Sequence, residues 1–315
     1  MTARGSDPTA PDRDGTSADR DAASPGLARE PLRGLAQVRA VIFDVDGVLL
    51  DATGSYHAVA EEAARRTIAP LVGEARARAV PFDRAAEIAA FKAAGRFNDD
   101  WEMARGIALL LYLRAQGEAP PLQQFLESAR GQGVEGLYRG RTLGEEALRA
   151  LDAQAIARTC GGLYGGDRCQ DLFGFEGRGE GFWTRETLLA DATVLQQVAR
   201  RFPLALFTGR NPGEARLALS RVGLSIDDAL CWVADGRPRK PDPAGLVWLC
   251  QRLLGGARTA EGPAQALFVG DTADDQAAAR AAQAAAAPIL YAHVTAPGDT
   301  TRVLTHLLAA AGEPQ

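Results

Sequence analysis

The chain has only four cysteines in 315 residues, Cys160, Cys169, Cys231 and Cys250, and no two of them make a CxxC pair. Three histidines are present, with no His-rich segment beside the cysteines, so neither a zinc site nor a disulfide framework is expected and the thiols read as reduced, in a cytoplasmic setting. No uninterrupted apolar run reaches the roughly 18 to 20 residues of a membrane span, and the N-terminus lacks the apolar core of a signal peptide. A formal net charge of −5, without any Lys/Arg cluster interleaved with aromatics, argues against nucleic acid or an acidic membrane as partner. With 46% hydrophobic residues the chain can bury a sizeable core, and a small-molecule ligand is the expected partner.

Residues 1–35 are rich in Asp, Arg, Ser, Pro, Gly and Ala and almost free of large apolar side chains. Such a segment cannot bury enough surface to offset the entropy of ordering it, so a disordered tail is expected there. The stretch that follows, VRAVIFDVDGVLLD, is the centre of the reading. Its apolar, β-branched start predicts a buried parallel strand, and the strand ends in Asp44 and Asp46 with Gly47 supplying the turn. In an open α/β sheet the crevice beyond the carboxyl ends of the strands is where ligands bind, so two acids at such an end mark a candidate site. Taken singly, Asp44 could instead cap a helix and Asp46-Gly47 make a turn.

Helical patterns follow over residues 55–68, 83–94, 99–117, 122–129 and 143–157, with no convincing strand between them. The Gly-rich passage 161–183 reads as loop, and Thr184 with Thr187 as the start of a helix leading back. Short apolar runs then alternate with helices: strands are expected at 204–207, 229–233, 266–269 and 289–291, and a closing helix at 300–311. Thr208 to Lys240 is 32 residues and Lys240 to Asp271 is 31, each close to one βαβ repeat, whereas Asp44 to Thr208 is 164. The excess predicts an α/β protein: a Rossmann-like three-layer core with a central parallel sheet, residues 36–54 and 186–315, and an all-helical cap of residues 55–185 inserted after the first strand.

Four signals fall at strand ends on one edge of that sheet: DVDGVLLD, FTGR, RKPDP and GDTADD. In this order and at these spacings they resemble the haloacid dehalogenase superfamily of hydrolases, in the phosphoglycolate-phosphatase-like branch whose helical cap follows the first motif. The resemblance implies that Asp44 is a nucleophile forming an aspartyl-phosphate and Asp46 the general acid and base. It implies that Thr208, with the Gly209 N–H and Arg210, holds the phosphate, and that Lys240 screens the repulsion between carboxylate and phosphate. It also implies a Mg2+ ion bound by the side chains of Asp44 and Asp271 and the carbonyl of Asp46, with Asp275 behind; Asp274 is an alternative to Asp275. The activity implied is hydrolysis of a small phosphorylated metabolite, a phosphate monoester. A sugar-phosphate mutase and a catalytically silent phosphate-binding module remain alternatives. Within the cap, FKAAGRFNDDW places Lys92 and Arg96 before an acidic helix start, which reads either as a helix turn or as an anion-recognising pair.

Overall fold

A computed structural model of the chain describes residues 33–95, 97, 99–129, 131–259 and 262–312. Five strands, β1 (Val38–Phe43), β2 (Leu204–Phe207), β3 (Cys231–Trp232), β4 (Gln265–Gly270) and β5 (Ile289–His293), form one sheet in the order β3-β2-β1-β4-β5. All pairings are parallel, and Val41 of β1 lies opposite both Leu204 and Leu267. Strands buried on both faces need apolar side chains at every position, which is why β1 reads as an apolar run broken only by exposed Arg39. The order places β1 between β2 and β4, so that the polar residues following these three strands converge.

The expected tail, residues 1–35, lies outside the described residues except for its last three, of which Leu35 is buried at the start of a 3-10 turn. After β1 the chain leaves the sheet through Leu50–Asp51 and comes back through Thr187–Leu188, and these two segments pair antiparallel. Between them the described residues form helices and turns alone. Helix α1 (Ala58–Val72) follows a π-helical turn at Thr53–His57, α2 (Asp100–Gln116) is capped by the Asp99 carboxylate, and α3 (Ala153–Gly165) by that of Asp152. The apolar faces of these helices enclose Phe91, Phe97, Phe125 and Tyr164 in a core separate from those of the sheet. This is the helical cap.

On the sheet, Val41 and Phe43 face α4 (Ala192–Arg201), α5 (Pro212–Val222) and α8 (Asp299–Ala310), while Ala40 and Ile42 face α6 (Ala244–Leu254) and α7 (Ala273–Ala284). This alternation is the pleat of β1 dividing its side chains between two helical layers.

Two local expectations are corrected. The passage 161–183 is not simple loop: α3 runs to Gly165 and a short helix covers Cys169–Phe173. Its glycines serve close approach, since a methyl group at Gly177 would sit 2.2 Å from the Gly166 carbonyl oxygen and one at Gly181 2.3 Å from that of Tyr164. Composition registered flexibility where the backbone is packed against itself. No helix starts at Thr184 either; Phe182–Arg185 is a 3-10 turn, and Thr187 pairs with Asp51 to close the junction between cap and sheet. Among the described residues, no helix is long and apolar enough to cross a membrane, and all four cysteines are free and buried.

Candidate active site

β1 ends at Phe43, and the Asp44 N–H donates to the Val269 carbonyl of β4, which carries the backbone one residue further beside the sheet. The chain then turns tightly: the N–H groups of Leu49 and Leu50 both donate to the Val45 carbonyl, and that of Gly47 to Leu50. Thr300 of α8 pins this loop through a 2.9 Å hydrogen bond from its hydroxyl to the Val48 carbonyl. Gly47 has φ +72°, and a methyl group there would lie 2.0 Å from Asp271 Oδ2. Glycine is therefore required twice, for the left-handed backbone and to admit the Asp271 carboxylate beside the loop.

Asp271 follows β4, and Asp275 lies on the first turn of α7. Oxygens of Asp44, Asp271 and Asp275 lie within 4.8 Å of one another. Lys240, from the loop after β3, reaches into this cluster, with Nζ 2.8 Å from Asp44 Oδ1 and 2.6 Å from Asp275 Oδ1. Its ammonium also lies over the rings of Phe207 and Phe268, at 5.1 and 5.7 Å. Burial pulls Lys240 down, but the two carboxylates outweigh it and hold the ammonium charged.

One cation cannot neutralise three acids, of which Asp44 and Asp275 are buried and Asp271 partly so. Burial pushes Asp44 up to about 8, with Asp275, Asp271 and Asp46 adding to the rise against the opposing charge of Lys240. Asp271 is pushed up to about 6, again first by burial and then by Asp275. The Asp271 Oδ1 atom is buried without a hydrogen-bond partner. A hard divalent cation with oxygen ligands fits this set, since it would occupy the orphaned oxygen and favour the ionised acids. Asp275 is otherwise engaged, because its Oδ2 accepts from the N–H and hydroxyl of Thr272 in a capping box while its Oδ1 faces Lys240. The cluster contains Asp275 rather than Asp274.

On the other side of Asp44, Thr208 follows β2, buried, its N–H bonded to the Trp232 carbonyl. Its hydroxyl oxygen accepts from the N–H of Arg210 at 3.2 Å, a tight turn that leaves Gly209 exposed, with open space where a side chain would be. Arg210, expected at the substrate, is placed differently. Its side chain is 1% exposed and points into the protein, where Nη2 donates to Asp46 Oδ1 at 2.6 Å and to Glu186 Oε1 at 2.9 Å. Nε lies 3.2 Å from Asp46 Oδ2, and Nη1 donates to the Tyr164 hydroxyl at 3.1 Å. A guanidinium surrounded by two carboxylates and a phenol has few N–H groups left for a ligand.

Glu186 is wholly buried and accepts from Ser55 and Tyr164 as well as Arg210. Tyr56 stacks on Tyr164, with ring centroids 4.6 Å apart, and donates to Glu214, which forms a capping box with Asn211: its N–H donates to Asn211 Oδ1 and its Oε2 accepts from the Asn211 N–H. Neither Glu186 nor these tyrosines was singled out in the sequence. The only signal there was the position of Glu186 at the end of the inserted segment. Of the cap pair, Lys92 lies 3.8 Å from Asp100 Oδ1, half-exposed, and Arg96 lies outside the described residues. His57 is pushed down to about 4 by burial and by the charge of Lys92. A further cap residue also reaches the sheet side: Asp99 accepts from Arg239, the neighbour of Lys240, at 3.2 Å.

The profile of haloacid dehalogenase-like hydrolases matches residues 38–283. Among solved structures, the chain is similar to the phosphatase Tt82 from Thermococcus thioreducens, with 20% identity, a TM-score of 0.65, and coverage of 87% of this chain and 99% of that one. It is also similar to an X-ray structure of a structural-genomics consortium target, at 16% identity and a TM-score of 0.58, covering 87% of this chain and all of that one. At these identities the likeness speaks for the fold. No curated protein sequence matches significantly. With the profile extending from β1 through α7 and so across every residue of the acid cluster, this chain belongs to the haloacid dehalogenase-like hydrolases.

Proposed function

We propose that the protein is a Mg2+-dependent phosphatase that hydrolyses a small phosphate monoester in the cytoplasm through an aspartyl-phosphate on Asp44. The observation that carries this reading is the surroundings of Asp44: a buried carboxylate with an ammonium 2.8 Å away and an unpartnered Asp271 oxygen in the same cluster. The named activity of Tt82, a phosphatase of similar fold, supports it.

In this reading an Asp44 oxygen attacks phosphorus as the bond to the ester oxygen breaks, and the carboxylic acid of Asp46 gives its proton to the leaving alkoxide. Asp46, now a carboxylate, takes a proton from water as that water attacks the phosphorus, which frees Asp44 and inorganic phosphate. Lys240 holds its charge between Asp44 and the incoming dianion, and the Thr208 hydroxyl and Gly209 N–H cradle the phosphate oxygens at the turn. Mg2+ bound by the Asp44 and Asp271 side chains and the Asp46 carbonyl would neutralise the charge gathered on the transferred group. Asp275 serves from behind by fixing Lys240.

The test is phosphate release from a panel of phosphorylated metabolites with purified protein and Mg2+. Asp44→Asn, which keeps shape and loses the nucleophile, is expected to abolish release while retaining the fold. An Asp44→Asn protein that keeps most of the activity removes the mechanism.

A further inference from the structure

We propose that Arg210 is the positioning residue for Asp46, and that through Glu186 and Tyr164 it ties the aim of that carboxylate to the seating of the cap. The inference rests on the phosphatase reading for its kinetic consequence, though not for its geometry.

Asp46 and Glu186 take adjoining edges of one guanidinium, sharing Nη2, and differ in exposure. The Asp46 side chain is 40% exposed, whereas Glu186 and Arg210 are at 0% and 1%. The arrangement therefore presents one carboxylate outward while the other two groups brace it from behind. The bracing is dense: Glu186 Oε1 accepts from Ser55 at 3.1 Å, Tyr164 at 3.0 Å and Arg210 at 2.9 Å. Asp46 itself has two oxygens against Nε and Nη2, a forked contact that fixes the plane of the carboxylate as well as its place. A lysine could not reproduce this, because one ammonium cannot bond Asp46 in a fork and reach Glu186 as well.

The anchors come from the segments that carry the cap. Glu186 follows the turn Phe182–Arg185 on the returning segment, Ser55 and Tyr56 lie on the departing one, and Tyr164 is on α3. Arg210 lies over the Tyr56 ring at 5.2 Å, so both junctions and one cap helix touch the residue that holds Asp46. A shift of the cap relative to the sheet has to move Glu186 or Tyr164, and the guanidinium must follow or break its bonds. Proton transfer depends on placement at the scale of 1 Å, so this linkage makes leaving-group protonation depend on a seated cap.

The test compares full-length wild type, Arg210→Lys and Tyr164→Phe on p-nitrophenyl phosphate, whose leaving group needs little protonation, and on glycerol 2-phosphate, whose leaving group needs it. Arg210→Lys is expected to lower kcat on the alkyl ester about tenfold more than on the aryl ester, with KM changed less than about threefold. Tyr164→Phe is expected to act in the same direction more weakly, and both effects should vanish in an Asp46→Asn background, where there is no acid to aim. Equal losses on both esters, a rise in KM alone, or persistence of the effect in Asp46→Asn would overturn the proposal. If wild type hydrolyses neither ester, the phosphatase reading fails and crystals decide the positioning separately. In Arg210→Lys, or in Tyr164→Phe should the former not fold, the Asp46 carboxylate is expected to leave its wild-type position by about 1 Å or more. An unmoved carboxylate refutes the inference.

Discussion

Gly47→Ala is the most local perturbation of the acid cluster that leaves every carboxylate in the sequence. A methyl group at this position would stand 2.0 Å from Asp271 Oδ2, against an ordinary contact of at least 3.4 Å, so something must yield by about 1.4 Å. The atom in the way is the end of a side chain rather than backbone, and the Asp271 carboxylate is what gives. The fold pays separately for holding alanine at φ +72°, about 1 to 2 kcal/mol. For a domain of this size that lowers Tm by roughly 2 to 8 °C, a modest loss. The larger effect is expected at the metal, since displacing a ligand or its support typically weakens binding about 10- to 100-fold. Calorimetric titration of Mg2+, alongside activity as a function of Mg2+ concentration, reads this directly. Gly47→Ala is expected to raise the half-activating concentration by that factor and to lower kcat even at saturation. A variant with the expected fall in Tm and unchanged Mg2+ affinity would show that Asp271 is not a ligand.

Asp46→Asn is expected to cost about 100-fold or more on alkyl phosphates and much less on activated aryl phosphates, and equal losses would remove its acid role. Excess chelator should silence the enzyme and Mg2+ restore it; full activity in chelator would mean that the cluster works without a metal. Lys92→Ala is expected to reduce kcat/KM about tenfold for an anionic true substrate and to leave aryl phosphate nearly unchanged, because one charge-assisted contact remote from the reacting bond is lost. If both substrates respond alike, Lys92 serves only its ion pair with Asp100. Glu214, raised from 4.5 to about 7 chiefly by burial, holds in the folded state a proton that the unfolded chain releases. Its contribution is therefore full below pH 4.5 and is lost as pH rises through 7, so Glu214→Gln should gain on wild type across that window by at most roughly 3 kcal/mol. Denaturant melts at both ends of the window check it, and a constant difference refutes it.

The strand ends were legible because parallel strands and their acids break different rules at one place. A continuous apolar run signals burial on both faces, and a carboxylate directly after it has no packing reason to be there. Asp44 and Asp271 were each found in this way, Thr208 and Lys240 through the motifs FTGR and RKPDP; the structure brings Asp44, Lys240, Asp271 and Asp275 into one cluster, with Thr208 following the neighbouring strand β2. The insertion of residues 55–185 was legible from spacing, since 164 residues between the first two polar strand ends exceed one repeat several times over, and its helical character from the apolar patterns within it. The glycine-rich passage was misread because composition reports what glycine permits in an isolated chain. It does not report that Gly177 and Gly181 sit against carbonyl oxygens of residues folded back over them.

Arg210 shows where such reading stops. An arginine two residues after a threonine expected to hold phosphate invites assignment to the phosphate. What redirects the side chain is Glu186, 24 residues away, together with Tyr164, 46 away, and Asp46, 164 away. None of the three carries a periodic or motif signal that links it to Arg210. A buried arginine needs charge to compensate its desolvation, and two carboxylates supply it. Because those carboxylates come from the loop after β1 and from the cap junction, the network forms only when the inserted segment has closed on the sheet. The acid cluster is thus encoded locally, one strand end at a time, while the orientation of Asp46 is encoded by an assembly that exists only in three dimensions. Mutational effects should divide along that line: substitutions in the cluster act on chemistry for every substrate, and substitutions in the Arg210 network act in proportion to the proton the leaving group requires.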